Sequence, residues 1–486
     1  MVSTDPLSRR AASDPAAPAL IDGAGGEVMR WADLDDRAAI LAGRLAAVGA
    51  TPGDRIAVVE AAGPDLAATL HACARLGAVM VPLSPRLPAP ELLTHVTDAG
   101  AGIVLTSSAG ATAVRQVAER IGSGRTRAWS FDGSLDPIAG VRADPLSPVP
   151  LDDDREVAIV YTSGTMGRPK GVRLTLANCI ASAQGCAEAL GGISSDDRWL
   201  LALGPHRVGG LAILWRSALF GAPVVYLSRF SEDAVHAALA RQPTLASFVP
   251  TMLHRLLEDE RGDQLAALRA LLVGGSATTR GEVRAWAARG LRVCPSYGMT
   301  ETASQIAVVP PERALELAGT AGLVHSRATI DVDDSEGRPG RLLVGGPVLS
   351  PGYVDAELTS RAFAGAGPRR RLRTDDLGWV DGGVVHVVGR VDRMIITGGE
   401  KVSPEEVEDV LREHPDVRDV AVFGVPDARH GHTLAALVVS DAGAAALERW
   451  CRERLASYRV PRRFEFTDHI ARSEDGKAVQ AHRNSV

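Results

Sequence analysis

Val157-Ala158-Ile159-Val160-Tyr161-Thr162-Ser163-Gly164-Thr165-Met166-Gly167-Arg168-Pro169-Lys170-Gly171 is the stretch on which the fold turns. Residues 157–161 read as a short apolar strand. It opens into hydroxyl residues, glycines and one lysine. Small residues let backbone N–H groups approach phosphate oxygens, hydroxyls add donors, and an ammonium adds charge. The spacing GxxxxGK[ST] is absent, so this is not a Walker loop.

Outward from it the same alternation recurs. Arg55–Val59, Ile103–Thr106, Pro223–Leu227, Leu245–Val249 and Ala270–Val273 read as further buried strands. Between them lie Ala/Leu/Arg-rich stretches such as Asp233–Arg241 and Met252–Glu260, which read as helices. This is the α/β signature with largely parallel sheets. After about Asp331, Arg341–Val344 and Val384–Val388 predict a small β-rich subdomain, the second strand following the turn Asp381-Gly382-Gly383. Ser403-Pro404-Glu405-Glu406 starts a helix, with Ser403 as cap, Pro404 in the first turn and Glu406 completing a capping box. The 486 residues are too many for one core. A boundary near Asp392 divides them into an N-terminal domain, 1–391, and an α+β C-terminal domain, 392–486.

Composition excludes several classes. A net charge of -6 argues against a general nucleic-acid binder. No apolar run reaches the ~20 residues of a membrane span, and Met1–Pro6 lacks the blocks of a secretory signal. The scattered Cys73, Cys179, Cys186, Cys294 and Cys451 form no CxxC pair, which points to reduced thiols and a cytoplasmic setting. Only three of the 53 basic residues are lysines: Lys170, Lys401 and Lys477. A chain this biased toward arginine keeps a lysine where a compact ammonium is needed.

The 161–171 segment resembles the phosphate loop of the adenylate-forming superfamily of acyl-CoA synthetases, peptide-synthetase adenylation domains and luciferases, with Met166 where a Ser or Thr is usual. The resemblance continues in order down the chain. It implies that Thr162, Ser163, Gly164, Thr165, Gly167 and Lys170 cradle ATP phosphates, Thr165 being catalytic. Leu272-Val273-Gly274-Gly275-Ser276-Ala277 is similar to the strand end beside adenine and the acyl group. In Tyr297-Gly298-Met299-Thr300-Glu301-Thr302 the tyrosine would pack on adenine, Thr300 would contact the α-phosphate and Glu301 would hold Mg²⁺. Gly274, Gly298 and Met299 would also border the acyl group. In Arg373-Thr374-Asp375-Asp376 the resemblance assigns the ribose hydroxyls to Asp376; Asp375 stands where the family normally has glycine. Gly389-Arg390-Val391-Asp392 is similar to the interdomain hinge, with Arg390 on ribose or phosphate and Asp392 as pivot. Gly398 and Gly399 would line the path of coenzyme A after the C-terminal domain turns. Lys477 matches the catalytic lysine of the closing Gly-Lys motif.

The implied chemistry is activation of a carboxylate as acyl-AMP with loss of pyrophosphate, then transfer to the CoA thiol with loss of AMP. ATP, Mg²⁺ and CoA are the implied co-substrates and cofactor. His206 matches the histidine that gates the acyl pocket. Arg216 is a charge in the apolar run 211–220, and three readings stand for it: an internal salt bridge, a side chain reaching solvent, or a grip on a second substrate carboxylate. Residues 209–221, 249–253 and 297–306 resemble 2-succinylbenzoate–CoA ligases of menaquinone biosynthesis, whose substrate carries two carboxylates. Two alternatives stay open: a ligase for another aryl or fatty acid, loading CoA or a carrier-protein thiol, and a weakly active nucleotide-binding regulatory protein. The expected partners are small molecules, with no nucleic acid and no membrane; a homodimer is left open.

Overall fold

The structure is a computed structural model that describes residues 5–121, 126–147, 152–162, 169–258, 260–333, 339–397, 400–427 and 431–471. Among these residues the strands fall into three sheets. The centre of the first is parallel, with Arg55–Val59 between Val79–Leu83 and Ile103–Thr106. Ile56, Ala57, Val58 and Val59 are all buried, because helices cover both faces and no alternation with polar residues is needed.

The opening stretch lies at the side of this sheet. Strand β1 (Glu156–Thr162) runs parallel to Val79–Leu83 and antiparallel to β2 (Lys170–Thr175), with Thr162 opposite Lys170. Lys170 thus opens a return strand. The alternation of Val172 and Leu174 with Arg173 was the signal for that strand. Ser163, Gly164, Thr165, Met166 and Gly167 lie outside the described residues, as do Gly398, Gly399 and Lys477.

The second sheet begins parallel, through Trp199–Leu201, Leu245–Phe248 and Ala270–Val273. Helix α1 (Val208–Phe220) packs beside it and is buried from Gly210 to Ala218. A helix apolar on every side belongs inside a protein. The sheet changes character at β3 (Val293–Met299). Its first half pairs parallel with Ala270–Val273, its second half antiparallel with β4 (Ser304–Val308). The path continues antiparallel through Gly322–Val324 to β7 (Val384–Arg390), then β6 (Arg371–Asp381) and β5 (Gly340–Gly345). The β-rich part therefore begins before Asp331 and is continuous with the parallel half. The three-residue strand Gly322–Val324, which carries the link, is too short for a pattern to register.

The third sheet holds Ile395–Thr397, Glu400–Val402, Val417–Asp427, Gly431–Ser440 and Arg463–Phe466. It has its own core, in which Val407 and Leu411 of α2 (Pro404–Arg412) meet Val420, Leu434, Val438 and Leu447. The expected capping box at Ser403 does not form. Pro404 takes the first turn, but Ser403 makes no side-chain cap bond. Its hydroxyl lies 2.8 Å from both Val388 O and Glu405 Oε2. β7 passes so close that a carbonyl outside the helix competes for the hydroxyl. Glu406 pairs instead with Arg459 at 3.0 Å.

On the same helix Glu408 is 5% exposed and accepts from Arg393 Nη2 (3.1 Å), Arg412 Nη2 (3.0 Å) and Val422 N (2.9 Å). Removing it leaves a buried N–H and two partly buried guanidinium groups short of an acceptor. Glu408→Ala is expected to destabilise the C-terminal unit by about 2 kcal/mol, discounted for the partial exposure of both arginines. The check is amide hydrogen exchange: protection should fall across α2 and Val417–Asp427 and stay unchanged in the first sheet.

Candidate functional site

A single cleft of about 3020 Å³ collects the described residues singled out in the sequence. Thr162, Lys170, His206, Arg216, Gly274, Gly275, Ser276, Tyr297, Gly298, Met299, Thr300, Glu301, Asp376, Arg390 and Asp392 all line it. Gly424, His432, Phe466 and Ile470 of the C-terminal unit face the same space.

The turn between β3 and β4 sets the floor. Thr300–Thr302 makes a 3₁₀ turn, followed by Ala303 at φ 54° and Ser304 at φ 146°. Two successive non-glycine residues at positive φ cost about 1–3 kcal/mol each and need a surrounding structure that enforces them. Thr302, fully buried, supplies part of it: its Oγ1 lies 2.7 Å from Ser304 O and accepts from Met299 N at 3.2 Å. Ser182 donates to Ala303 O at 3.2 Å. Gly298 is required here, because a Cβ at that position would lie 2.2 Å from Ser304 O. Gly275 is required by its φ of 87°, which turns the chain out of Ala270–Val273.

One side of the cleft is a closed polar network. Tyr297 donates to Asp376 Oδ2 at 2.6 Å, and Arg390 Nη1 donates to Asp376 Oδ1 at 3.2 Å. Arg390 also grips Asp392 with two bonds of 2.9 Å. Burial, and then the Asp376 charge, raise the Tyr297 pKa well above its usual value, so the phenol stays protonated as a donor. Burial works against the charge on Arg390, but the Asp392 hydrogen bonds and the Asp376, Asp392 and Asp375 carboxylates outweigh it, and its pKa is raised.

The neighbours Asp375 and Asp376 both reach the cleft because β6 bulges there. Leu343 pairs with Arg373 and Arg341 with Leu377, so Leu342 alone opposes residues 374–376. Such a bulge breaks the alternation of faces and re-aims side chains. Thr374 bridges the gap: its hydroxyl donates to Leu342 O at 2.8 Å and accepts from Asp376 N at 3.1 Å. Asp375, the departure from the usual glycine, pairs with Arg341 at 3.2 Å.

Glu301 is oriented by Tyr353, whose hydroxyl donates to Oε1 at 2.7 Å. Burial and the Glu301 charge raise the Tyr353 pKa, which keeps that donor in place. The remaining lone pairs of Glu301 can serve a hard cation. Among the described residues no cluster of three or more His, Cys, Asp or Glu converges, so protein groups alone do not build a metal cage there. The donor set suits Mg²⁺, which takes one or two carboxylates and fills its shell with phosphate oxygens and water.

Two of the three readings left open for Arg216 fail. It is 2% exposed, which rules out a side chain reaching solvent. Its Nη2 donates to Gln305 Oε1 (2.7 Å) and Ser304 Oγ (3.0 Å), and its guanidinium lies 5.1 Å from the Trp199 ring centre. Among the described residues no carboxylate lies within ion-pair range of it, so the internal salt bridge is also absent. Burial pulls its pKa below the usual guanidinium value. One buried donor, Arg216 Nε, has no acceptor among the described residues, and Arg216 and Gln305 both line the cleft. Ser304, Gln305, Tyr353 and Arg341 were not singled out from the sequence. The one available signal was the polar pair Ser304-Gln305 at the head of an otherwise apolar strand.

The chain matches the AMP-binding enzyme family over residues 7–354 and the AMP-binding enzyme C-terminal domain over residues 406–477. It is 34% identical to a 2-succinylbenzoate–CoA ligase of Bacillus licheniformis over 98% of both chains. It is 35% identical to a feruloyl-CoA synthase of an Amycolatopsis species, over 97% of this chain and 96% of that one. It also resembles the o-succinylbenzoate CoA synthetase of Bacillus subtilis. Against the complex with the acyl-adenylate intermediate OSB-AMP the TM-score is 0.88, at 31% identity over 100% of this chain and 98% of that one. Against the complex with ATP and magnesium it is 0.85, at 31% identity over 98% of both. A matching family over most of the chain, and relatives above 30% identity along its whole length, make this protein a member of the AMP-binding enzyme family.

Proposed function

We propose that the chain is an AMP-forming acid–thiol ligase that converts 2-succinylbenzoate to 2-succinylbenzoyl-CoA, a step of menaquinone biosynthesis. The observation that carries this is Arg216: a buried cation with no carboxylate partner among the described residues, in the same cleft as the Tyr297–Asp376–Arg390 network. A substrate with two carboxylates presents one for activation and gives the other to Arg216 and Gln305. Such a pair forms charge-assisted hydrogen bonds in a water-poor site, where they are strongest.

In the proposed reaction a substrate carboxylate oxygen attacks the α-phosphorus of ATP, and pyrophosphate leaves. Catalysis of this kind rests on positioning and on neutralising charge. Tyr297 packs on adenine, with Gly275 and Ser276 beside it. Asp376 accepts from the ribose hydroxyls, and Arg390 holds that carboxylate in place. Thr162, Ser163, Gly164, Thr165, Gly167 and Lys170 hold the phosphates, and Thr300 the α-phosphate. Glu301 would hold Mg²⁺, which would neutralise phosphate charge. Lys477 reaches the α-phosphate during this half. His206, Gly274, Gly298 and Met299 border the acyl group. In the second half the CoA thiolate attacks the acyl carbon and AMP leaves. The C-terminal unit, 392–486, turns about Asp392 between the halves and brings Gly398 and Gly399 to the thiol path. The likeness to the feruloyl-CoA synthase supports a second reading, in which the acid carries one carboxylate. The buried thiols support a cytoplasmic location, and no described helix is long and apolar enough to cross a membrane.

Thioester formation with ATP, Mg²⁺, CoA and a panel of acids separates the readings. 2-Succinylbenzoate is expected to react, with ferulate, benzoate and a medium-chain fatty acid poor by comparison. Better turnover of ferulate would keep the ligase and remove the dicarboxylate assignment. Arg216→Met is expected to lower kcat/KM for 2-succinylbenzoate about 100-fold, the loss of one buried charged interaction of about 3 kcal/mol. Its Tm should hold or rise, since an unpaired buried charge gives way to apolar packing. A fall in Tm, with the preference among acids intact, would mark Arg216 as structural. Lys477→Ala is expected to suppress pyrophosphate release while leaving thioester formation from supplied acyl-AMP largely intact; equal loss of both halves would count against its assignment.

A further inference from the structure

Asp375 stands on the crest of the β6 bulge, its side chain 40% exposed and lining the cleft. Arg341, on the neighbouring β5, is 21% exposed. Its Nη1 donates to Thr374 O at 2.8 Å and to Asp375 Oδ1 at 3.2 Å. One nitrogen thus ties the backbone of one bulge residue to the side chain of the next. The other Asp375 oxygen lies 3.6 Å from Arg390 Nη2, and Arg390 donates to Asp376. Arg341, Asp375, Arg390 and Asp376 form a chain of alternating charge that ends on the carboxylate assigned to the ribose.

An isolated exposed ion pair is worth little. This one differs because it is pinned at both ends to the element it shapes. A bulge in which one residue faces three has lost ladder bonds and needs other contacts to hold one shape. Thr374 supplies one and Arg341 the other. A glycine at 375 could make neither the Arg341 nor the Arg390 contact.

We propose that Arg341 and Asp375 are a positioning pair for the nucleotide. They hold the bulge and dock Arg390, so that Asp376 presents its carboxylate to the 2′- and 3′-hydroxyls of the ribose. The inference rests on the adenylate-forming reading above.

The test measures AMP binding by calorimetry, together with kinetics on ATP and 2′-deoxy-ATP. It compares the wild-type chain with Arg341→Ala, Arg341→Lys, Asp375→Gly and the Arg341→Ala/Asp375→Gly pair. Arg341→Ala is expected to raise the Kd of AMP and the KM of ATP roughly tenfold, one charge-assisted contact's worth. It should narrow the preference for ATP over 2′-deoxy-ATP and leave the KM of the acid within about twofold. Asp375→Gly should act in the same direction, and the double variant should lose less than the sum of the two single losses, because the Arg341–Asp375 contact is removed in both. Arg341→Lys should recover part of the loss, since an ammonium keeps the charge without the guanidinium's planar fork. Unchanged AMP affinity in Arg341→Ala or Asp375→Gly, additive losses in the double variant, or an equal rise in the KM of the acid would overturn the pair. Should Arg341→Ala fail to fold, Asp375→Gly and Arg341→Lys carry the same readouts. A wild-type chain that binds neither AMP nor ATP would sink the adenylate-forming reading itself and this inference with it.

Discussion

Burying a guanidinium without a counter-ion costs several kcal/mol, and the acyl side of the cleft is arranged around that cost. Helix α1 is apolar nearly all round, so its place in the interior is forced, and Arg216 is carried in with it, 2% exposed at the cleft wall. What lowers the cost is the Trp199 face and the side-chain oxygens of Ser304 and Gln305. Those oxygens sit at the end of the turn that holds Ala303 and Ser304 at positive φ. His325 steadies the far side: its Nε2 lies 3.0 Å from Gln305 O, while its Nδ1 accepts from Arg327 N at 3.2 Å, which fixes Nε2 as the donor. The strained turn and the unpaired charge are therefore neighbours, as expected where strain serves a site. An anionic ligand would satisfy the donor that the fold leaves open.

The nucleotide side follows the opposite rule, and the difference tracks the chemistry of each proposed ligand. A ribose is neutral, so a carboxylate that receives it needs compensation from the protein, and Tyr297 and Arg390 provide it. A substrate carboxylate brings its own charge, so a protein carboxylate beside Arg216 would compete with it. Pairing charges on one side and leaving one open on the other is economical under a single constraint: each buried charge needs a partner when the site is full.

Much of this was legible in the residues. The buried strands were visible as short apolar runs, and Arg55–Val59, Ile103–Thr106 and Ala270–Val273 form with the expected bounds. Arg216 stood out because a charge inside an apolar run is costly whatever its partner turns out to be. The pairing of Glu301 with Tyr353 and the bulge at Thr374 were not legible. Each depends on residues far apart in sequence: Tyr353 lies 52 positions from Glu301, and Arg341 lies 33 from Thr374. Local pattern also failed at Ser403. Four residues make a good capping box, but β7 offers the hydroxyl another acceptor, and tertiary contact wins over local preference.

The crossing into the C-terminal unit is built in a way that suits the proposed turning. Its apolar core is a cluster separate from those of the first two sheets, so reorienting it need not open a hydrophobic core. At the crossing point the contacts are polar: Arg390 to Asp392, and Ser403 to Val388 O. Polar contacts exchanged for water cost little net free energy, on the order of 1 kcal/mol each, which lets two orientations lie close in energy. Arg390 belongs to β7, on the large side of the crossing, and would keep Asp376 when Asp392 swings away. Asp375 would then matter more, because it would stay beside a guanidinium short of two of its bonds. The charge added on the bulge is placed where it could hold the nucleotide side rigid through the proposed turning of the C-terminal unit.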